Sequence, residues 1–213
     1  MYYTYLVLMI KNIIFDFGGV IFNIDFKRTF EAFEKLGYKD FKEMYSQYQA
    51  DPLFQDLETG KITDKEFYSR LSAMLPNPSS NEQLKNAWNA LLISYRKESL
   101  DFLITLKNDY NLYLLSNTNA IHYDHFSKQL SKETNYHKLE DFFIKAWYSH
   151  KIHRRKPAIE TYEFVLNDAG IKAAETLFID DSHSNLPNAE KAGIKTHLLK
   201  PGEKIEDLDY NSF

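Results

Sequence analysis

The chain has 213 residues, of which 44% are hydrophobic and 15% aromatic, and it carries a formal net charge of -4 at pH 7. This apolar content is enough for one large core, so the composition excludes a disordered protein. The sequence lacks the basic footprint of proteins that bind nucleic acid or anionic membranes, which makes a small molecule the expected partner.

The sequence contains no cysteine. This excludes disulfides, thiolate catalysis and zinc sites built on cysteine, and it is compatible with a reducing compartment, so we expect a cytoplasmic protein. The N-terminal run to Ile10 is apolar but has no basic start, and Lys11 interrupts it before it reaches membrane-spanning length. We therefore expect no targeting segment or membrane anchor. Residues 1–8 are predicted to be an extension or a short extra element.

Strand signals, which are apolar runs bounded by turn residues, recur along the chain and alternate with helical patterns. The predicted strands are Asn12–Asp16, Leu112–Ser116, Phe142–Trp147, Thr176–Asp180 and Lys195–Leu199. Strands that alternate with helices form parallel sheets. We therefore predict an α/β protein with a doubly wound, Rossmann-like parallel sheet.

The segment 24–100, between the first two predicted strands, has almost no strand signal and several amphipathic helical patterns. The helices predicted here are Thr29–Leu36, Asp64–Met74, Asn81–Ile93 and, leading back to the second strand, Ser99–Asp109. Thr63 and Glu66 form a capping box that predicts a helix start, and residues 76–80 form the clearest turn. We predict a helical cap domain over residues 24–100, inserted into an α/β core domain made of residues 9–23 and 101–213.

Aromatic residues are frequent in the predicted cap. Those that fall within its helical stretches are Tyr45, Tyr48, Phe54 and Phe67. Core packing is the default expectation for most of them, and one or two are expected to face a substrate.

Four polar clusters follow, or lie near, the ends of predicted strands. They are residues 16–19, Ser116–Asn117, Arg155–Pro157 and Asp180–Ser182. Because the carboxyl ends of parallel strands share one edge of a sheet, we expect acids, a hydroxyl and a lysine to meet there. A carboxylate in that setting, such as Asp16, is a candidate nucleophile or metal ligand. For each cluster alone a turn or helix-capping role is commoner, but the four together favour a site.

The order and spacing of these clusters resemble the haloacid dehalogenase superfamily. The four motifs of that superfamily match residues 13–20, 114–117, 156–157 and 178–185. The resemblance covers the chain from Met9 and is strongest to the subgroup with a small helical cap after the first motif, which includes sugar-phosphate phosphatases similar to glucose-1-phosphate phosphatases. Residues 59–63 in the predicted cap and 185–193 after the paired acids are further matches.

The resemblance implies a Mg²⁺-dependent phosphatase that acts on a small phosphorylated metabolite, with a sugar phosphate as one candidate. Asp16 would be the nucleophile and, with Asp181, a direct carboxylate ligand of Mg²⁺. Gly18 would bind the metal through its backbone carbonyl. Asp180 would contact the metal through a water molecule, or would hold the direct ligands without touching the metal.

Three further residues are expected to act on the phosphate. Ser116 and Asn117 would bind it with side-chain and backbone hydrogen bonds at a helix start. Lys156 would offset the negative charge of the nucleophile and of the transferring phosphoryl group. Pro157 suits the first turn of a helix, which would aim Lys156 at the sheet edge.

Two residues depart from the pattern expected for an acid-base phosphotransferase. Gly18 stands where a second acid would supply proton transfer, and His153 stands where the family usually has glycine. Gly18 counts against a phosphoglucomutase-like reaction, and a dehalogenase would not need the metal that Asp180 and Asp181 imply. Gly18 and His153 also motivate a different class of function, a binding or regulatory module that holds phosphate ligands without turnover.

The densest basic stretch is residues 150–156, which includes His150 and His153. A zinc site is poorly supported, because two histidines need further ligands that the sequence does not identify. A basic rim that attracts phosphorylated substrates is favoured. His183 is expected at the surface, with substrate contact as the alternative. The sequence assigns neither the oligomeric state nor the physiological substrate.

Overall fold

A five-stranded parallel sheet forms the centre of the protein. The computed structural model describes residues 9–38, 41–45, 52–74 and 79–213. The strands are β1 (Asn12–Phe15), β2 (Phe22–Ile24), β3 (Leu92–Tyr95), β4 (Asn111–Ser116), β5 (Lys145–Tyr148), β6 (Thr176–Asp180) and β7 (Lys195–Leu198). The sheet has the order β5-β4-β1-β6-β7 with every neighbouring pair parallel, and β2 pairs with β3 in a separate antiparallel ribbon. The predicted α/β class is confirmed.

The helices lie between the strands along the chain. They are α1 (Phe26–Lys35), α2 (Phe41–Met44), α3 (Pro52–Glu58), α4 (Asp64–Ala73), α5 (Asn81–Asn89), α6 (Lys97–Leu106), α7 (Ala120–Glu133), α8 (Ser149–Ile152), α9 (Ile159–Ala169) and α10 (Leu186–Lys191). The capping box predicted at α4 is present, since the Glu66 N–H donates to the Thr63 hydroxyl and the Thr63 N–H donates to the Glu66 carboxylate. Local hydrogen bonding therefore fixes the start of α4 as the sequence predicts.

Strand β1 is central and buried on both faces. Its apolar residues alternate, with Ile13 and Phe15 in one hydrophobic cluster and Ile14 in the other. Helices α6 and α7 cover the first cluster, and α9 and α10 cover the second. An uninterrupted apolar run is the pattern expected of a parallel strand covered on both faces, which makes the sheet doubly wound.

The register of the sheet sets where the polar clusters meet. Phe15 at the end of β1 pairs with Leu114 of β4 on one side and with Ile179 of β6 on the other. Asp16 and Asp180, each the next residue, therefore emerge side by side at the carboxyl edge of the sheet. The N–H of Asp16 still donates to the carbonyl of Ile179 at 2.9 Å, so the sheet holds its backbone although β1 ends one residue earlier than predicted.

The short ribbon β2-β3 is absent from the sequence prediction. The helix predicted to run to Ile93 ends at Asn89, because Leu92 and Ile93 enter β3 instead. The strands are too short to show a clear alternation, and their apolar residues continue the helical pattern of α5. Backbone hydrogen bonds of 2.9 Å from Asp25 to Leu91 and from Arg96 to Ile21 close the two ends of the ribbon.

The helix predicted over Thr29–Leu36 is α1, which begins three residues earlier, at Phe26. Two other sequence predictions need correction. The strand predicted over Phe142–Trp147 is β5, Lys145–Tyr148, and a 3₁₀ turn, Leu139–Phe142, precedes it. The predicted helix Ser99–Asp109 is α6, which starts and ends earlier. Both errors are shifts of boundary, which apolar residues on either side of an element allow. The predictions for residues 1–8, Tyr48 and the turn residues 76–78 lie outside the described residues.

Helices α1–α5 share a hydrophobic cluster rich in aromatic side chains, to which α7 adds Ile121. Tyr45, Phe54 and Phe67 belong to it, as does Trp88 of α5, whose indole ring stacks on Phe54 with centroids 5.4 Å apart. The core packing predicted for these aromatics is confirmed. Within the described residues, no helix is both long and apolar enough to cross a bilayer.

Candidate active site

A cavity of about 170 Å³ lies at the carboxyl edge of the sheet. Residues from all four of the predicted clusters line it, among them Asp16, Gly18, Asn117, Lys156 and Asp181. Ser116 lies beside the cavity as the buried last residue of β4, and it is not one of the lining residues. The structure thus brings the clusters together as the sheet topology predicts, and it places Ser116 one layer deeper.

Lys156 is buried between two carboxylates. Its Nζ atom lies 2.6 Å from Asp16 Oδ1 and 2.5 Å from Asp180 Oδ2, and 1% of the residue is exposed. Burial alone lowers the pKa of Lys156, but the charges of Asp16 and Asp180 reverse this effect and raise the pKa above its usual value. The ammonium group is therefore held charged between the two carboxylates.

Asn117 fixes the backbone that carries Lys156. Its side-chain oxygen accepts the N–H of Lys156 and its side-chain nitrogen donates to the carbonyl of Lys156, both at 2.9 Å. The amide group of Asn117 is thus engaged at both ends within the protein. The predicted contact of Asn117 with phosphate stays a prediction. Since its side chain is engaged, the donor for that contact would be the backbone at the end of β4.

The expected reason for the orientation of Lys156 is wrong. Pro157 does not lie in the first turn of a helix, since α9 begins at Ile159 and the Lys156–Pro157 peptide bond is cis. The two hydrogen bonds to Asn117 orient Lys156 instead. A lysine and proline pair predicts a turn equally well, and the sequence has no signal that separates a turn from a helix start here.

Three carboxylates form one acidic cluster. Oxygen atoms of Asp16, Asp180 and Asp181 lie within 4.8 Å of one another. Burial raises the pKa of Asp16 to about 7 and that of Asp181 to about 6, and repulsion from Asp180 adds to both, while Lys156 opposes it. One ammonium group thus faces three carboxylates, and the cluster is short of positive charge. An all-oxygen donor set with this charge fits a divalent cation such as Mg²⁺.

Asp180 differs from the other two acids in its partners. It is fully buried, and besides Lys156 it accepts hydrogen bonds from the Ser182 N–H at 2.8 Å and from the side-chain nitrogen of Asn185 at 2.9 Å. Its oxygens are therefore used to hold Lys156 and the loop after β6. Asn185 was covered by the motif match but was not assigned a role from the sequence.

The two glycines after Asp16 serve different purposes. At Gly19, whose φ is +74°, a Cβ atom would lie 2.1 Å from Asp181 Oδ2, so only glycine lets the backbone approach that carboxylate. At Gly18, a Cβ atom would lie 3.1 Å from Cδ1 of Ile24. The position of the missing acid thus faces an apolar side chain from β2, and position 18 itself has no group to carry a proton.

The basic stretch after β5 does not form a metal site. Among the described residues, the only group of potential metal ligands that lie close together is the acidic cluster, which contains neither His150 nor His153. His153 has a left-handed backbone with φ 54°, the conformation for which glycine is preferred, and its Nδ1 atom lies 2.8 Å from the carbonyl oxygen of Thr59. His153 therefore joins the loop after α3 to the segment before Lys156. His183 is exposed and does not line the cavity.

Residues from β2, α1, α3 and the position directly after α2 complete the cavity wall. These are Ile24, Phe26, Tyr45 and Glu58. Glu58 was not singled out from the sequence, although it directly precedes the 59–63 match, and it forms an ion pair with Arg155 across 2.9 Å. Only the folded chain brings these two together, since nearly half of the chain's length separates them.

Comparison with known proteins gives consistent results. The chain matches the model of the haloacid dehalogenase-like hydrolase family over residues 13–199. It is 36% identical over 195 residues to D-ribitol-5-phosphate phosphatase of Bacteroides thetaiotaomicron, covering 91% of this chain and 94% of that protein.

Solved structures agree with this match. A HAD family enzyme of Bacteroides thetaiotaomicron, crystallised as an aspartate-to-alanine mutant with magnesium and inorganic phosphate, superposes with a TM-score of 0.88 at 37% identity, over 93% of this chain and 98% of that one. A predicted HAD-like family hydrolase of Porphyromonas gingivalis superposes with a TM-score of 0.82 at 33% identity, over 92% and 93% of the two chains.

The sequence motifs, the parallel sheet and the comparisons lead to one assignment. The match spans β1 to the end of β7, and so it includes each of the clusters that meet at the cavity. The resemblance seen in the sequence is confirmed: the chain belongs to the haloacid dehalogenase-like hydrolase family.

Proposed function

We propose that the protein is a Mg²⁺-dependent phosphatase that hydrolyses a small polyol phosphate or sugar phosphate. The contact that carries the proposal is that of Asp16 with the buried ammonium group of Lys156, inside a cluster of three carboxylates. The relative that acts on D-ribitol 5-phosphate and the related structure that contains magnesium and phosphate support it. The cavity volume, about 170 Å³, is below the roughly 300–1,000 Å³ of pockets for drug-sized ligands, which favours a small substrate.

Asp16 is the nucleophile in this proposal. One of its carboxylate oxygens attacks phosphorus, a bond forms between that oxygen and phosphorus, and the bond from phosphorus to the ester oxygen breaks. The leaving oxygen takes a proton from solvent water and departs as the alcohol. A water molecule then attacks the phosphorus of the aspartyl-phosphate and gives up its proton to the solvent. This second step releases inorganic phosphate and restores the Asp16 carboxylate. Lys156 stabilises the negative charge in both steps because its ammonium group touches the attacking carboxylate.

The chain's own residues divide the remaining tasks. We assign the Asp16 and Asp181 carboxylates and the Gly18 carbonyl to Mg²⁺, and Asp180 to the support of Lys156. When bound, Mg²⁺ neutralises the repulsion between a carboxylate and a phosphate ester. Ser116 and the backbone after β4 are assigned to the phosphate oxygens.

Three alternative functions lose support from the geometry. A mutase must move protons to and from sugar hydroxyls, and position 18 has no side chain for that task and faces Ile24. A binding module without turnover has no need for a nucleophile, yet the contact between Asp16 and Lys156 is retained. A dehalogenase needs no metal, so that function does not explain why a second carboxylate, Asp181, lies beside Asp16.

We also propose that residues 24–100 act as a cap domain over a core domain of residues 9–23 and 101–213. The separate hydrophobic cluster of α1–α5 and the contribution of Tyr45 and Glu58 to the cavity wall support this division. The ribbon β2-β3 supports it too, because it pairs the chain where it leaves the core with the chain where it returns. A cytoplasmic location is proposed from the cysteine-free sequence.

Removal of the metal is expected to stop hydrolysis. Purified protein treated with EDTA should release phosphate from D-ribitol 5-phosphate and p-nitrophenyl phosphate at least about 100-fold more slowly, since the cation supplies several kcal/mol of charge stabilisation. Added Mg²⁺ should restore the rate, and added Ca²⁺ should not, because it takes more ligands at longer distances. A rate that EDTA leaves unchanged would contradict the metal assignment, and no release from any phosphate ester would contradict the function.

A further inference from the structure

Glu58 and Arg155 form a buried ion pair in the wall of the cavity. Glu58 is the last residue of α3 and 7% exposed, and its Oε2 atom lies 2.9 Å from Nε of Arg155, one residue before Lys156. Both side chains line the same cavity as Asp16. A substrate with its phosphate at Asp16 would therefore present its other end within reach of opposite charges.

The pair is incompletely satisfied within the protein. Glu58 Oε2 and Arg155 Nε are buried 2.9 Å apart, but Nε–H is not well aligned with Oε2, and neither atom has another hydrogen-bond partner among the described residues. Burial raises the pKa of Glu58, and Arg155 only partly offsets this. Desolvated charges of this kind are costly unless further hydrogen bonds are made, so the protein retains a cost that a polar ligand would reduce.

Other contacts also hold the loop after α3 in place. The carbonyl of Thr59 is bound by His153 Nδ1 at 2.8 Å. Gly60, at φ +66°, packs so closely that a Cβ atom would lie 2.4 Å from the carbonyl oxygen of His150. These two contacts join the loop to the segment before Arg155 without using the charged side chains of the pair.

The rest of this wall is mainly apolar or uncharged. Ile24 and Phe26 provide apolar surface, and Tyr45 provides a phenol whose pKa is raised by burial and by the nearby Glu58. Tyr45 thus remains a neutral hydroxyl group beside the pair. The wall thus offers a hydrogen-bond acceptor in Glu58, several donors in Arg155 and a hydroxyl group in Tyr45, all beside apolar surface. This combination suits a carbon chain that carries hydroxyl groups.

We propose that Glu58 and Arg155 recognise hydroxyl groups on the leaving group of the substrate. Glu58 accepts hydrogen bonds from one or two hydroxyls, and Arg155 donates to a hydroxyl oxygen of the same chain. The inference rests on the proposed function, which places the phosphate at Asp16. A leaving group without hydroxyls leaves the pair unsatisfied, and this penalty makes the site selective for polyol or sugar phosphates.

Glu58→Gln tests this selectivity, with Glu34→Gln on the exposed face of α1 as the matched control. The expected kcat/KM for D-ribitol 5-phosphate falls by about 10- to 100-fold, as expected for loss of a buried hydrogen bond to a charged group. The value for p-nitrophenyl phosphate, which has no hydroxyl groups on its ring, should change by less than about threefold, within the range of neutral substitutions. Equal losses on both substrates would show that the pair only positions the loop, and no loss would show that it has no role; either result overturns the proposal.

The double variant Glu58→Gln with Arg155→Gln covers the case in which the unpaired Arg155 prevents folding. It removes both charges and should show the same selective loss on D-ribitol 5-phosphate. An unchanged preference for the polyol phosphate in this folded variant would overturn the proposal.

A binding measurement separates the subsite from catalysis. In an Asp16→Asn background with Mg²⁺, calorimetry should show that D-ribitol 5-phosphate binds at least about tenfold more tightly than inorganic phosphate. Glu58→Gln should abolish that difference. If the wild-type protein hydrolyses nothing, the proposed function fails, but the difference in affinity between the two ligands still tests the subsite. If the Asp16→Asn protein binds D-ribitol 5-phosphate and inorganic phosphate equally well, the subsite proposal alone is overturned.

Discussion

Asp16→Asn abolishes phosphate release and leaves the fold intact: this is the result that the geometry of the carboxyl edge leads us to expect. The amide has the shape of the carboxylate but lacks a nucleophilic oxygen anion, so the aspartyl-phosphate does not form. Loss of a nucleophile in other hydrolases lowers kcat by about 10⁴-fold or more, and we expect a fall of this size. Steady-state release from p-nitrophenyl phosphate and D-ribitol 5-phosphate gives the measurement.

The fold should tolerate this change because the Asp16 carboxylate is repelled by Asp180 and Asp181. Without metal, the uncharged amide removes that repulsion, although it weakens one contact with Lys156. We therefore expect the unfolding temperature in EDTA to stay close to that of the wild type. Asp207→Asn, at an exposed position, is the matched control for the chemical change. An Asp16→Asn protein that keeps more than about a tenth of the wild-type kcat would rule out Asp16 as the nucleophile.

Lys156→Met should have the largest effect on stability. It leaves the carboxylates of Asp16 and Asp180 buried without their ammonium partner, and breaking a buried ion pair in this way costs about 3–5 kcal/mol in the free energy of unfolding. Turnover should be lost as well, because the same group stabilises the attacking carboxylate. Denaturant unfolding of the variant beside Lys138→Met, a change at an exposed lysine, measures the difference.

A second substitution separates the two effects of Lys156. Asp180 is fully buried, so Asp180→Asn in the Lys156→Met background removes one of the unpaired charges and should recover part of the lost stability. Activity should not return, because Asp16 still lacks its cation. If Lys156→Met is as stable as Lys138→Met, the buried pair does not contribute to folding as we infer.

The strands of the sheet were the most predictable elements. Thr176–Asp180 has the predicted bounds, because an apolar run that ends in acids is distinct from any helical pattern. The ribbon β2-β3 was missed, since Leu92 and Ile93 extend the apolar face of α5 and give no local sign of the change. Pairing with β2 decides their conformation, and such a partner is not visible in a single stretch of sequence.

The site likewise contains features that the order of elements predicts and contacts that depend on how distant segments pack. Asp16 and Asp180 could be placed together because strand ends in a parallel sheet share an edge, a rule that needs only the order of elements. The use of both ends of Asn117 to hold Lys156 could not be predicted, because Asn117 is equally suited to a cap or a phosphate contact. The ion pair of Glu58 and Arg155 depends on how α3 packs against α8 in the segment after β5, which no local pattern encodes.

The central claim is that phosphorus becomes bonded to Asp16 during turnover. The most direct measurement mixes the enzyme with Mg²⁺ and saturating D-ribitol 5-phosphate, quenches in acid, reduces the acyl phosphate with tritiated borohydride and maps the labelled peptide. We predict label at residue 16 in the wild type and none in Asp16→Asn. Label at another residue, or rapid phosphate release with no labelled peptide, would contradict the account.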